Sequence, residues 1–172
     1  MSKTYYDTPL WDSSLSIEER LDYLLSEMTL EEKIQSMGTG NPEIERLGVP
    51  AFQVGGEAAH GVQARHDQKF DDNEPDLTTI FQNPIGMSAS FDEELIRKAG
   101  KVVGTEVRGL YSREHKGSLS VWAPTIDMER DPRWGRTEEA YGEDPLLTGK
   151  MAGAYVEGLQ GEDDHYLLTA AP

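Results

Sequence analysis

The chain has 172 residues, the size of one ordinary domain, with 37% hydrophobic residues and no cysteine. It can therefore bury a core, but it has no disulfide, thiolate nucleophile or cysteine-based zinc site. Its 32 acidic residues against 16 basic give a formal charge of -16, which argues against a nucleic-acid surface because phosphate binding needs a basic footprint. No stretch approaches the roughly 20 consecutive apolar residues of a membrane helix. Met1 to Trp11 has no apolar core behind a basic end, so the expectation is no signal peptide and a cytoplasmic chain.

In chain order, Ser16-Ile17-Glu18-Glu19 is a capping-box pattern opening a helix through about Met28. Leu21, Leu24 and Leu25 lie on one face of it. Thr29-Leu30-Glu31-Glu32 repeats the device and opens a shorter helix to Met37, with Leu30, Ile34 and Met37 as its apolar positions. Trp11 reads as a packing anchor. Gly38 to Pro42 is a predicted turn, and Ala51 to Val54 a short strand ending at Gly55-Gly56. The polar segment from Gln63 to Asp76 reads as a long loop.

Pro84 to Ala89 is a small-residue strand candidate. Asp92 caps a helix from about Glu93 to Leu110, with Leu95, Ala99, Val102, Val103 and Val107 as the expected buried stripe. Leu119 to Ala123, bounded by Gly117 and Pro124, reads as a buried strand. Asp144 and Pro145 start a helix through about Leu159, and Tyr166 to Pro172 reads as a further strand. After the leading helices, strand and helix alternate, which predicts a parallel sheet with helices outside it. The last strand has no polar tail or cap after it, so a fragment is expected.

Three polar groups fall where strands end, the rim on which parallel α/β folds build their sites. They are Glu57 with His60; Arg130, Asp131, Arg133 and Arg136; and Glu138, Glu139, Tyr141, Glu143 and Asp144. A carboxylate accepts from two neighbouring hydroxyls and a guanidinium donates a two-pronged bond to vicinal oxygens. Trp134 adds a flat apolar wall for the C–H face of a sugar. Other readings stand beside this one. Arg130, Asp131 and Arg133 can form an ion-pair knot that holds their loop, Glu138 and Glu139 can be solvated, and Glu143-Asp144-Pro145 can be no more than a helix start. His60, His66 and Asp67 match no defined metal spacing, and His115 and His165 read as surface residues.

Four stretches resemble glycoside hydrolase family three, the β-glucosidase and β-xylosidase family. They are Met28 to Lys33; Glu57-Ala58-Ala59-His60-Gly61; Ala123-Pro124 through Arg130-Asp131-Pro132-Arg133-Trp134-Gly135-Arg136, continued by Tyr141-Gly142-Glu143-Asp144-Pro145; and Gly158-Leu159-Gln160-Gly161. The resemblance implies the N-terminal portion, about half, of a (β/α)8 barrel, with leading helices over 1–46 and the first strand–helix units over 47–172. It also implies retaining, exo-acting hydrolysis of terminal β-D-glucosyl or β-D-xylosyl residues without metal or organic cofactor. Glu57 and Arg136 would bind hydroxyls of the cleaved sugar, with Glu139 supporting them. Trp134 would join the substrate site, and Arg130, Asp131, Arg133 and His60 would shape its loops.

The resemblance places a Lys-His pair just after the strand that starts near Tyr166, a nucleophilic aspartate further on and an acid/base in a second domain. This chain therefore offers hydroxyl-binding groups and no catalytic residue. Its open barrel edge would be covered by a partner or a second copy. A non-catalytic carbohydrate-binding or assembly fragment is the alternative reading, and an unrelated α/β binding protein a third.

Overall fold

The computed structural model describes residues 5–38, 40–53, 55–63, 77–114, 118–163 and 169–170. The chain divides into two compact units, Met1–Gln53 and Val54–Pro172.

In the first unit both capping boxes form. Helix α1, Ile17–Glu27, is closed by Ser16 with Glu19, and α2, Leu30–Gln35, by Thr29 with Glu32. Each pair satisfies two backbone N–H groups that a helix start otherwise leaves unpaired. Glu32 also makes a longer-range contact. Its carboxylate accepts Arg46 Nε at 3.1 Å and Nη2 at 2.5 Å, while Nη2 also donates to the Glu27 carbonyl. One arginine thus ties the end of α1 to the start of α2. Trp11 donates from Nε1 to the Leu47 carbonyl at 3.1 Å, which makes it the anchor its position implied.

One expectation changes here. Residues Gly40–Asn41 form a strand, β1, where a turn was predicted. The strand predicted at 51–54 is Phe52–Gln53, β2, and pairs with β1 antiparallel. On α1, Leu24 is half-buried while Leu21 and Leu25 are exposed. Leu30, Ile34 and Met37 are exposed as well.

The second unit is built on a helix pair. Helix α4, Glu93–Glu114, begins at Asp92, whose Oδ1 accepts the Leu95 N–H at 3.0 Å. Helix α5, Pro145–Gln160, begins at Asp144, whose Oδ1 accepts the Leu147 N–H at 2.7 Å. Proline at the first helical position costs nothing there, because that N–H has no partner in a helix. Ile96, Ala99, Val103 and Val107 of α4 pack with Met151, Ala152, Ala154, Tyr155 and Leu159 of α5 in one core that also takes in Ala58, Val121, Ala123 and Tyr141. The buried stripe on α4 is turned from its expected phase: Leu95 and Val102 are exposed. The reason is glycine. Side chains at Gly100 and Gly158 would bring their Cβ atoms within 2.4 Å of the Tyr155 carbonyl oxygen and 2.0 Å of the Arg97 carbonyl oxygen. Backbone meets backbone at the crossing, so the centre of the α4 contact is a residue that no apolar pattern marks.

Residues Pro84–Ser88 form a short helix, α3, where a strand was predicted. Pro84 opens it, and Met87 and Ser88 are buried. A five-residue run of small and apolar residues carries no periodicity that separates helix from strand. The predicted strand at 119–123 appears as β3, Ser120–Val121, with both residues buried. It pairs in parallel with β4, Thr169–Ala170. On its other side, Gly55 donates to Ser120 O at 3.2 Å and Trp122 donates to Gly56 O at 2.8 Å. Parallel strand alternation thus holds around β3. The remainder of the predicted strand from Tyr166, the loop residues 64–76, His66, Asp67, His115 and His165 lie outside the described residues.

Candidate functional site

Glu57 sits at the carboxyl end of the extended segment beside β3. It bridges in parallel to Trp122, at the end of β3, and antiparallel to Gln63. Three successive carbonyls are held there. Gly56 O accepts Trp122 N at 2.8 Å, Glu57 O accepts Gln63 N at 2.9 Å, and Ala58 O accepts the hydroxyl of Tyr155. The loop turns back at Gly61, whose φ of 143° is open to glycine and costly for other residues. A Cβ at Gly61 would also lie 2.4 Å from Thr79 O. The return strap is held by Phe81 N donating to His60 O at 2.7 Å and Thr78 Oγ1 donating to Val62 O at 2.8 Å.

The second half of the site is the loop leaving β3. Its turns are fixed locally. The carboxylate of Asp131 accepts Arg133 through Nε at 2.9 Å, Nη2 at 2.5 Å and the backbone N–H at 2.9 Å. Arg133 is otherwise in solvent, with 89% of its side chain exposed, so this pair organises its own loop. These bonds to Arg133 hold the Asp131 carboxyl below its ordinary value. Arg130 is exposed and, among the described residues, takes no part in that pair. Trp134 is half-buried, with its backbone N–H on Asp131 O at 3.0 Å.

Arg136 and Glu139 form the charged centre. Nε donates to Oε1 at 2.9 Å and Nη2 to Oε2 at 2.5 Å, the fork geometry that suits guanidinium and carboxylate. The side chains remain 61% and 32% exposed, so the pair is aimed and still open to a ligand. The bonds to Glu139 raise Arg136 above its ordinary value, and the charges of Glu139, Asp127 and Glu57 add to this. Glu139 is lowered, first by its hydrogen bonds to Arg136, then by that residue's charge and by His60. Charges from both loops thus act on the fork: Glu57 and Asp127 on Arg136, and His60 on Glu139.

Behind this cluster the loop ends in apolar packing. Tyr141 is fully buried, its carbonyl accepts Ser88 Oγ at 2.5 Å, and burial with a smaller effect from Tyr155 pushes its hydroxyl up. Glu138 and Glu143 are exposed. Among the described residues no group of three or more histidines and carboxylates is placed to hold a metal.

Two residues of the central stretch had no role assigned from sequence. Trp122 is the parallel-register neighbour of Glu57 and stays 49% exposed. Asp127 acts on Arg136. The signal for Trp122 is strand register, which a sequence shows only after its partner strand is known.

A cluster of carboxylates around one forked guanidinium, on loops leaving adjacent parallel strands, is suited to a polyhydroxylated ligand. Residues 28–171 match the Glycosyl hydrolase family 3 N terminal domain. A beta-xylosidase/alpha-L-arabinofuranosidase 1 of Medicago sativa subsp. varia is 44% identical over 154 residues, covering 89% of this chain and 20% of the relative. An exo-1,4-beta-xylosidase of Emericella nidulans is 39% identical over 158 residues, covering 91% and 21%. Among solved structures, a GH3 exo-beta-xylosidase, XlnD, in complex with a xylobiose aziridine activity-based probe superposes with a TM-score of 0.84 at 33% identity, covering 99% of this chain and 22% of that one. Beta-glucosidase 3B of Thermotoga neapolitana, in complex with α-D-glucose, gives 0.69 at 30% identity, covering 82% and 21%. The chain spans about a fifth of the length of the curated relatives it matches. Its α/β architecture is that of part of the (β/α)8-type barrel of these enzymes, and it belongs to glycosyl hydrolase family 3, within the N-terminal domain.

Proposed function

We propose that these residues are the hydroxyl-binding part of a retaining, exo-acting β-glycosidase that releases terminal β-D-xylosyl residues, with β-D-glucosides as the second substrate class. The observation that carries this is the Arg136–Glu139 fork, on which the charges of Asp127 from the same loop and Glu57 from the other also act. Glu57 accepts hydroxyl protons from the terminal sugar. Arg136 donates to a neighbouring hydroxyl while Glu139 holds its plane. Double displacement needs two carboxyl groups about 5–5.5 Å apart across the glycosidic bond. Glu139 is held by Arg136 and is read as a supporting group, not as one of that pair. The xyloside preference is supported by the closer superposition on the xylosidase than on the glucosidase and by the xylosidase names of the two sequence relatives.

The test is hydrolysis of 4-nitrophenyl β-D-xyloside and β-D-glucoside by the full-length gene product. The expected result is turnover of both with xyloside preferred. Arg136→Ala should lower kcat/KM by roughly 10- to 150-fold, the worth of a hydrogen bond to a charged group of about 1.5–3 kcal/mol. Sugar binding without turnover in the full-length protein would leave a carbohydrate-binding module instead.

A further inference from the structure

The Glu57 segment is held at three consecutive carbonyls, and two of the three donors are backbone amides, Trp122 N and Gln63 N. The third is a side chain from a different element: Tyr155, in the middle of α5, donates its hydroxyl to Ala58 O. Both residues are fully buried. Burial pushes the Tyr155 hydroxyl up, so it stays a protonated donor across the working pH range. Ala58 is the residue next to Glu57, and no water competes for a carbonyl at zero exposure. The α4–α5 crossing fixes the donor in turn, because the Tyr155 backbone is in contact with Gly100. The helix pair therefore reaches the rim through one hydroxyl.

We propose that Tyr155 is a positioning residue for Glu57, coupling the α4–α5 packing to the site through the Ala58 carbonyl. It touches no substrate and acts by fixing where the Glu57 carboxylate meets the sugar. The proposal rests on the reading of Glu57 as a hydroxyl-binding group. Removing the hydroxyl leaves a buried carbonyl unpaired and lets the segment from Glu57 to Gln63 seek another partner.

The experiment is Tyr155→Phe in the full-length protein, alone and combined with Glu57→Gln, with steady-state kinetics on 4-nitrophenyl β-D-xyloside and amide hydrogen exchange as a readout independent of activity. KM is expected to rise roughly 2- to 10-fold, the worth of one ordinary hydrogen bond, with a smaller change in kcat. In the Glu57→Gln background the same substitution should add little, because both changes act on one contact. Exchange at the Gln63 and Trp122 amides should speed up while the α4 and α5 amides keep wild-type protection. A Tyr155→Phe protein with lower thermal stability but wild-type KM and exchange would make Tyr155 a packing residue and overturn the proposal. So would an undiminished effect in the double variant, or failure of Tyr155→Phe to fold. A Glu57→Gln protein with wild-type KM would instead overturn the binding role of Glu57, and this proposal with it.

Discussion

Arg136 is poised by a single partner. Nε and one N–H of Nη2 are used on Glu139, which leaves the second N–H of Nη2 and both of Nη1 to donate to sugar hydroxyls. A lysine at this position keeps the charge and has three donors, but it lacks the planar fork and so has nothing to hold the angle between Glu139 and the sugar. Arg136→Lys should therefore lose about as much as Arg136→Ala in kcat/KM, roughly 10-fold or more, and KM measured on both variants checks it. The same pair sets a pH dependence. Glu139 is held below the ordinary glutamate value of 4.5 by Arg136. Its folded-state value is depressed, so what the pair contributes is present above that ordinary value and is lost as pH falls through the depressed one. Glycoside affinity that depends on Arg136 should stay level from neutrality down to 4.5 and weaken only below it. Binding isotherms across that range test the sign, and affinity already falling above pH 4.5 would place the sensitive group elsewhere. Arg136 is mostly in solvent and Glu139 about a third exposed, at 61% and 32%, so the pair's effect on overall stability is small.

At the level of elements, the α4–α5 crossing is the contact on which the second unit depends. Gly158→Ala would set a methyl group 2.0 Å from the Arg97 carbonyl oxygen, on backbone that cannot swing aside. Overpacking of this kind costs about 1–3 kcal/mol and at a backbone crossing sits at the upper end. The gain in helix propensity from glycine to alanine, about 1 kcal/mol at most, does not offset it. Thermal unfolding should show Gly158→Ala destabilised, while Gly153→Ala, with open space around it on the same helix, should be neutral or stabilising. This crossing also marks where sequence reasoning stopped. The helix starts at Ser16, Thr29, Asp92 and Asp144 were legible because capping is a matter of three or four adjacent residues. The phase of the α4 stripe was not, since the contact centres on Gly100 and moves burial from Leu95 to Ile96. Nor was β1 or its pairing with β2: the strand at 51–54 could be read, but Gly40–Asn41, about a dozen residues before it, carries no strand pattern of its own. In the site, Glu57, Arg136 and Glu139 stood in motifs and could be singled out. Trp122 and Asp127 enter it through register and loop path, which are tertiary facts.

The molecule as a whole shows large apolar residues in water in orderly rows. Ile17, Leu21 and Leu25 recur every fourth residue along α1, and Leu30 and Ile34 continue the habit on α2. Helical residues four apart share a face, so these are stripes and not scattered exceptions. Contiguous exposed apolar surface of this kind marks a face that associates. In the second unit β4 has β3 on one side and, among the described residues, no strand on the other. The net charge of -16 opposes association through repulsion, but salt screens that repulsion within about 8 Å at physiological ionic strength, while apolar burial does not weaken with salt. The 172-residue polypeptide expressed alone should therefore self-associate, more strongly as salt is raised, and bind an apolar dye. Replacing Leu21 and Leu25 by glutamate breaks the α1 stripe without touching either capping box, and should reduce both effects. Sedimentation at rising protein concentration, with and without added salt, decides it. A chain that stays monomeric and leaves the dye dark would mean that the α1 stripe is too narrow to drive association against the chain's own charge.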